Sequence, residues 1–271
     1  MGQTVAMSLK EKFLRDGAVV LRGVVTPDEI EKLTRGIDAV LERPSARAKV
    51  ASTPDDPGFF IEDFSTWREH KEFKEFVLGT KLSKVAAELT GSSTIQMYHD
   101  HVLVKEPGTR QRTPWHQDQP YYDVEGQQNV SFWIPVDPVS KQDCLELIAG
   151  THRGPWLMPR SFLDHQAKWF PEGSLVEMPD FESLRESFEI LSWDLEPGDA
   201  IAFHMLTVHG APGVSSGNRR RVFSLRVLGD DMVYAPRDWV TSPDMRAVMS
   251  AEEDQRVAGE SLRGDWFPQL L

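Results

Sequence analysis

Residues 190–228 read ILSWDLEPGDAIAFHMLTVHGAPGVSSGNRRRVFSLRVL. Three apolar runs of strand length, at 190–195, 200–208 and 221–228, are divided by the turn formers Glu196-Pro197-Gly198-Asp199 and Ser215-Ser216-Gly217-Asn218. Further runs of the same texture lie upstream at 95–105, 129–136 and 144–148. Strands that follow one another without alternating helices argue against a doubly wound parallel sheet. They predict a β-sandwich or jelly roll.

The first ninety residues read differently. Thr26-Pro27-Asp28-Glu29 is a helix start, and Ile30, Leu33, Ile37, Val40 and Leu41 recur at helical spacing, so a helix is expected over 27–41. Shorter helices are expected at 9–15, 70–78 and 81–90, the last closed by Gly91, with a buried strand at 18–25. Residues 43–68 carry turn formers and no period, which predicts a long loop; 244–259 reads as a last helix. The expected class is mainly β with α decoration, as one domain over 1–271: a helical cap at 1–94, a jelly-roll core at 95–230 and an extension at 231–271.

Composition limits the function classes. A chain of 271 residues lies within the range where sandwiches and barrels form one unit, and its 14 Phe and 8 Trp can fill such a core. A formal charge of −12 repels phosphate backbones, so a nucleic-acid partner is not expected. The N-terminus MGQTVAMSLKEKFLRDG has charges where a signal peptide needs an apolar run, and Ala6 stands where a myristoylation site after Met1-Gly2 needs Ser or Thr. No stretch approaches bilayer length, so no membrane partner is expected. Cys144 is the only cysteine, which fits a reducing cytoplasm.

Trp115-His116-Gln117-Asp118 puts an imidazole and a carboxylate at alternate positions, which in an extended segment leave one face together. His209, at the end of the 200–208 run, is the candidate third ligand. Two histidines and one carboxylate form a facial set that leaves positions open on iron(II). A His-x-Asp triplet alone is as readily a surface loop. Arg220, across the Gly/Ser/Asn hairpin from His209, sharpens the signal: on a strand beside the histidine, its fork can grip a carboxylate. The set describes a place for a dicarboxylate on a metal.

Other residues have competing readings. His99 and His101 share a strand face and form a rival ligand pair, with the alternative that His101 lines the pocket and His99 is packed. His152 reads as a turn stabiliser with a catalytic role as the lesser reading, His204 as core, and His70 and His165 as surface. Arg219 and Arg221 should turn away if Arg220 points inward, while Arg226 should share its face and could reach a substrate anion. Asp230, Asp231, Tyr234 and Arg237 form a polar cluster that is structural or substrate-binding, and Trp115, Tyr121 and Tyr122 are pocket walls or packing.

The series TPWHQDQPYY, VSFWIPVDP, LIAGTHRG, LEPGDAIAFH, VHGAPG and NRRRVFSLRVLGDD, after the opening FLRDGAVVLRGVVTPDEI, resembles the phytanoyl-CoA dioxygenase-like family of iron and 2-oxoglutarate enzymes. The resemblance implies a double-stranded β-helix, cupin-like, with N-terminal helices packed on the major sheet. It implies iron(II) on His116, Asp118 and His209, and 2-oxoglutarate and dioxygen as co-substrates, with Arg220 the anchor of the former. His101 matches a position that touches the co-substrate, Trp133 a pocket wall, and Lys105 in VKEPG marks the strand before the triad. The family often carries a hydroxyl where this chain has Ala211, so part of the carboxylate contact falls to another group, with Ser224 the candidate, or is absent.

The implied activity is hydroxylation of a C–H bond of a small molecule, with 2-oxoglutarate converted to succinate and carbon dioxide. Asp118 fills the position that related halogenases leave to a small residue, so halogenation is not expected. The alternatives are a cupin-like metalloenzyme without 2-oxoglutarate and a catalytically silent binding protein. Substrate choice is expected in lid segments at 43–68 and 155–185. There Arg43, Arg47 and Lys49 read first as solvated loop charges and second as a sign of an anionic substrate, such as a carboxylate, phosphonate or acyl conjugate.

Overall fold

Capping places the N-terminal helices. In α1 (Leu9–Asp16) the Ser8 hydroxyl accepts from the Glu11 N–H while the Glu11 carboxylate returns to the Ser8 N–H, and Gly17 ends the helix at φ 77°. After β1 (Ala18–Leu21), Thr26 and Glu29 repeat that box at the head of α2 (Pro27–Glu42), whose Leu33, Gly36, Ile37 and Val40 are buried on one face. Next come β2 (Lys49–Val50), β3 (Phe60–Phe64), α3 (Lys71–Gly79) and α4 (Leu82–Thr90). The remaining elements are β4 (Gln96–Lys105), β5 (Thr113–His116), β6 (Val124–Glu125), β7 (Asn129–Pro135), β8 (Glu146–Ile148), β9 (Ile190–Leu191), β10 (Ala200–Phe203), β11 (His209–Ala211), β12 (Arg220–Leu228), β13 (Val233–Tyr234) and α5 (Met245–Val248).

The computed structural model describes residues 7–158, 170–171, 173–214 and 217–271. Met1, Gly2, Ala6 and His165 lie outside the described residues, as do Ser215 and Ser216 of the expected hairpin turn and 159–169 of the second expected lid.

Two antiparallel sheets face each other. The major sheet has the order β1-β10-β7-β12-β4-β3-β2 and the minor sheet β5-β11-β8-β9, with β13-β6 as a separate pair. This is the jelly roll, or double-stranded β-helix, that the strand pattern predicts. Along β12 the side chains alternate: Arg220, Val222, Ser224 and Arg226 line the interior cavity, while Phe223, Leu225 and Val227 enter the core under the helices. Phe223 meets Phe73 and Phe76 of α3 at ring-centroid distances of 4.6 and 5.7 Å. The N-terminal helices therefore pack on the outer face of the major sheet, and apolar residues on that face leave the inner one for polar groups.

Three expectations need correction. The 43–68 segment is not all loop, because Phe60–Phe64 pairs along β4 and lays Phe60, Glu62 and Phe64 against the cavity. Its two Pro and paired Asp at 54–57 mask a strand whose every residue is buried. The 200–208 run is not one strand: it stops at Phe203, and 204–208 cross to the minor sheet, where His209 starts β11. The C-terminal helix is only Met245–Val248. There the chain is tied down by side chains, with Arg256 paired to the buried Asp123 and stacked on Tyr234.

Gly36 sits where α2 crosses α3, and a Cβ there would lie 2.3 Å from Cε1 of Phe73. Gly36→Ala should therefore destabilise the fold by about 1–3 kcal/mol despite alanine's better helix propensity, because overpacking wins over the backbone term. Chemical denaturation checks this, and an unchanged or higher midpoint would contradict the close approach.

Candidate metal and co-substrate site

His116 ends β5 and His209 starts β11, and the two are Cα partners in the minor sheet. Antiparallel pairing sets their rings side by side, with centroids 4.2 Å apart. His116 Nδ1 lies 2.8 Å from the Pro114 carbonyl and His209 Nδ1 lies 2.9 Å from the Thr207 carbonyl. A carbonyl only accepts, so each Nδ1 carries a proton and each Nε2 is the ring nitrogen left to face the cavity. Those Nε2 atoms stand 3.7 and 3.6 Å from Asp118 Oδ1.

Asp118 reaches them from a turn and not, as the alternation predicted, from an extended strand. Its dihedrals are φ −71° and ψ −47°, at the head of a short 3-10 turn over Gln119–Tyr121. The Met205 carbonyl fixes this turn by accepting from the Asp118 N–H at 2.8 Å and the Gln119 N–H at 3.0 Å. Gln117 adds a bond from its amide to the Leu206 carbonyl at 2.9 Å. The crossover at 204–208 thus explains both departures: the strand breaks there, and the broken segment clamps the turn that carries Asp118.

Asp118 Oδ2 accepts from Ser131 Oγ at 3.0 Å and from Arg226 Nη2 at 3.3 Å, so Oδ1 is the oxygen turned to the imidazoles. Burial pushes this carboxyl up, but Arg226 and then the two histidines hold it well below the usual carboxylate range. Burial, with His116 beside it, lowers His209 to about 3, so it is a neutral imidazole. Donor atoms of the three residues all lie within 4.8 Å of one another. Two imidazoles with oriented Nδ1–H groups and one carboxylate are the donor set of a divalent transition metal with open positions. The residues fit such an ion.

Arg220 is not on a strand beside His209, as expected, but on β12 of the opposite sheet, so it faces the histidines across the cavity. Its guanidinium is buried, donates to the main-chain carbonyls of Asp143 and Pro212, and lies 5.9 Å from the Trp133 ring centroid. Burial lowers it to about 10. Its Cα partner Lys105, 1% exposed, donates to the carbonyls of Gln111 and Pro212 at 2.8 and 3.0 Å. Burial and then Arg220 push this ammonium well below its usual value. Among the described residues neither cation has a carboxylate at ion-pair distance. A buried cation without a counter-ion is costly, so one end of the cavity is built to receive an anion.

His101 lines the cavity, stacked on Phe64 at 4.0 Å. Its Nε2 stands 3.5 Å from Glu62 Oε2 without making a hydrogen bond. Ser224 also lines the cavity, yet its hydroxyl donates to the Phe132 carbonyl at 2.8 Å, so its proton is not offered to a carboxylate. His99 is packed edge-on against Tyr98 and Tyr122, and the rival metal pair does not form: the triad is the only such cluster among the described residues. Arg219 and Arg221 turn outward to Glu106 and to Asp137 and Asp38. Trp115 points away from the cavity to Glu182, whereas Tyr121 and Tyr122 are walls of it. Asp230, Asp231 and Arg237 bind main-chain groups.

Sequence reasoning missed Glu62, Ser131 and Ser242. Ser131 was legible as the inward neighbour of Trp133 in the alternation VSFWIP; Glu62 was hidden with its strand.

The family model for phytanoyl-CoA dioxygenase (PhyH) matches residues 13–222. The chain belongs to that family. Human peroxisomal phytanoyl-CoA dioxygenase is 26% identical over 183 residues, covering 64% of this chain and 50% of the human protein. The chain thus spans about half the length of that relative. Among solved structures, the epimerase SnoN in complex with Fe3+, alpha ketoglutarate and nogalamycin RO superposes with a TM-score of 0.75 at 18% identity, covering 97% of each chain. The carbocyclase SnoK from nogalamycin biosynthesis gives 0.72 at 19% identity, over 99% of this chain and 98% of its own. These likenesses show that this member of the PhyH family shares their fold.

Two outcomes follow for this PhyH-family chain. Cobalt(II) or zinc(II) at about a hundredfold excess over its dissociation constant should stabilise the wild type by about 2.7 kcal/mol and leave Asp118→Ala unshifted in a thermal melt. Burial lowers His204, whose Nε2 donates to the Gln127 carbonyl, from 6.5 to about 4. The unfolded chain takes up that proton first, so stability should fall as pH drops from 6.5 towards 4, at about 1.4 kcal/mol per unit for this group. Denaturation of His204→Gln against wild type across that window should show a correspondingly shallower slope.

Proposed function

We propose that this chain is an iron(II)- and 2-oxoglutarate-dependent dioxygenase that hydroxylates a C–H bond of a small-molecule substrate, converting 2-oxoglutarate to succinate and carbon dioxide. One observation carries the reading: His116, Asp118 and His209 converge in a cavity whose other end holds Arg220 and Lys105, two buried cations without a carboxylate partner among the described residues. A metal site facing an anion site is what a chelating 2-oxo dicarboxylate requires. Family membership and the ligands named for SnoN support it.

When bound, ferrous iron supplies the redox chemistry by which dioxygen oxidises the co-substrate and the substrate together. The chain's part is placement. His116 Nε2, His209 Nε2 and Asp118 Oδ1 would be the metal donors, since Asp118 Oδ2 is already taken by Ser131 and Arg226. Arg220 would pair with the far carboxylate through the N–H groups it does not give to the Asp143 and Pro212 carbonyls, with Trp133 and Lys105 lining the same end of the cavity. His101 lines the cavity, and the Ser224 hydroxyl spends its proton on the Phe132 carbonyl. Asp118 would fill the place that halogenation leaves to a small residue. The buried lining excludes water from the reacting groups.

The chain acts as one domain in this reading, in a reducing cytoplasm that suits its lone buried thiol at Cys144. Among the described residues no helix is long and apolar enough to cross a membrane.

Anaerobic addition of iron(II) and 2-oxoglutarate should produce a weak visible charge-transfer absorption, and aerobic turnover should release succinate. A metalloenzyme without 2-oxoglutarate, or a silent binding protein, gives neither. Arg220→Ala should weaken 2-oxoglutarate binding on the order of a hundredfold, since a truncated partner leaves the carboxylate unpaired in a dry site. Unchanged affinity would remove Arg220 from the role given to it.

A further inference from the structure

The main-chain carbonyls that follow the Asp118 turn are all engaged by one segment distant in sequence. Trp239 Nε1 donates to the Pro120 carbonyl at 3.0 Å, the Ser242 N–H to that of Tyr121 at 2.9 Å and the Ala235 N–H to that of Asp123 at 2.8 Å. Arg237 takes the other two, with Nε 3.1 Å from the Tyr122 carbonyl and Nη2 2.7 Å from that of Val124. The stretch turns at Gln119–Tyr121 and extends from Tyr122, so neither helix nor sheet serves most of these acceptors, and buried carbonyls need donors. The family model's match ends at residue 222, before the strap at 235–242, so family membership carries no expectation for it.

What the strap grips is a lever on the metal carboxylate. The Tyr122 hydroxyl accepts from Arg226 Nε at 3.0 Å, and Arg226 Nη2 donates to Asp118 Oδ2 at 3.3 Å. The third nitrogen, Nη1, is buried and makes no hydrogen bond among the described residues, so the guanidinium is aimed by Asp118 and Tyr122. Asp118 cannot fix the group that fixes it, and the angle of the pair is therefore set from Tyr122. Arg237 bonds the carbonyl of Tyr122 itself and one two residues on. Its guanidinium lies over the rings of Trp156 and Trp239, 4.9 and 5.8 Å from their centroids, which holds the fork in place.

We propose that residues 235–242 are a positioning strap for the metal site, with Arg237 setting the Asp118 carboxylate through Tyr122 and Arg226. Arg237 does not line the cavity, so it acts through these residues and not on a ligand. The proposal rests on the reading of His116, Asp118 and His209 as metal donors.

The test titrates cobalt(II) alone, anaerobically, into the full chain, where its ligand-field absorption reports both affinity and donor geometry. Arg237→Met should weaken cobalt(II) about tenfold and shift its bands, the scale on which a change behind a metal ligand acts. Charge alone predicts the opposite sign, because removing a cation whose carboxylate neighbour is the exposed Glu125, at 3.7 Å, would favour a divalent ion. Arg237→Lys keeps the charge without the fork and should stay weak. Tyr122→Phe should also cost about tenfold, and the double variant no more than about tenfold, since both act along one path. Gly36→Ala lowers stability from the helical layer and should leave cobalt affinity unchanged, which separates positioning from a general loss of stability. Should Arg237→Met fail to fold, Trp239→Phe removes only the bond to Pro120 and should weaken cobalt(II) about threefold. Wild-type affinity and bands in the folded variants, tighter binding by Arg237→Met, or losses that multiply in the double variant to about a hundredfold would overturn the strap. A wild type that gives no cobalt bands would instead sink the metal site, a separate failure.

Discussion

The structure turns on a buried carboxylate. Asp118 sits in a dry cavity where an ionised group costs several kcal/mol unless its oxygens are paired. Each oxygen has a separate duty: Oδ2 is held by Ser131 and Arg226 from the major sheet, and Oδ1 faces the imidazoles of the minor sheet. The main chain beneath is fixed by Met205, which belongs to the segment joining the two sheets. Breaking the long apolar run at Phe203 is therefore a condition of the site, because an unbroken strand would leave no carbonyl to hold the Asp118 turn.

From that carboxylate the cavity's polarity follows. Arg226 is paired with Asp118, so its own charge is compensated within the chain. Arg220 and Lys105, Cα partners on β12 and β4, lie farther along the same inward face and are satisfied by carbonyl dipoles without a charged partner. One strand thus presents a compensated and an uncompensated guanidinium at its two ends, separated by Val222 and Ser224. Period-two alternation delivers both to the interior, and the helices are what permit it. With Phe223, Leu225 and Val227 buried under them on the other face, every inward position of β12 can be given to function.

Much of this was legible in the sequence, for identifiable reasons. The capping box at Thr26 and Glu29, the strand at 96–105 and the inward set Arg220, Ser224 and Arg226 follow from local rules that tertiary structure did not override. The family motifs supplied what local rules could not, namely that His209, distant in sequence, meets His116 and Asp118. Three features were not legible. β3 lies behind a Pro- and Asp-rich approach and is buried on both faces, so it shows no alternation. The crossover at 204–208 is as apolar as the strand before it, and only its hydrogen bonds reveal the turn. A hairpin joining neighbours in sequence suggests Arg220 beside His209, but in a jelly roll consecutive strands pass between sheets, so β11 and β12 face each other across the cavity.

That crossing ties metal binding to the fold. His116 and His209 belong to the minor sheet, whereas Asp118 is fixed by two residues of the major one. An ion held by all three is a link between the sheets as well as a reaction centre. The unfolded chain cannot bring these donors together, so the free energy of binding adds to that of folding. The sheet pairing of the imidazoles and the Arg226–Asp118 pair already hold donor atoms of all three residues within 4.8 Å of one another. The closed sandwich thus pre-forms its site, and the same contacts that hold the sheets together set the coordination geometry.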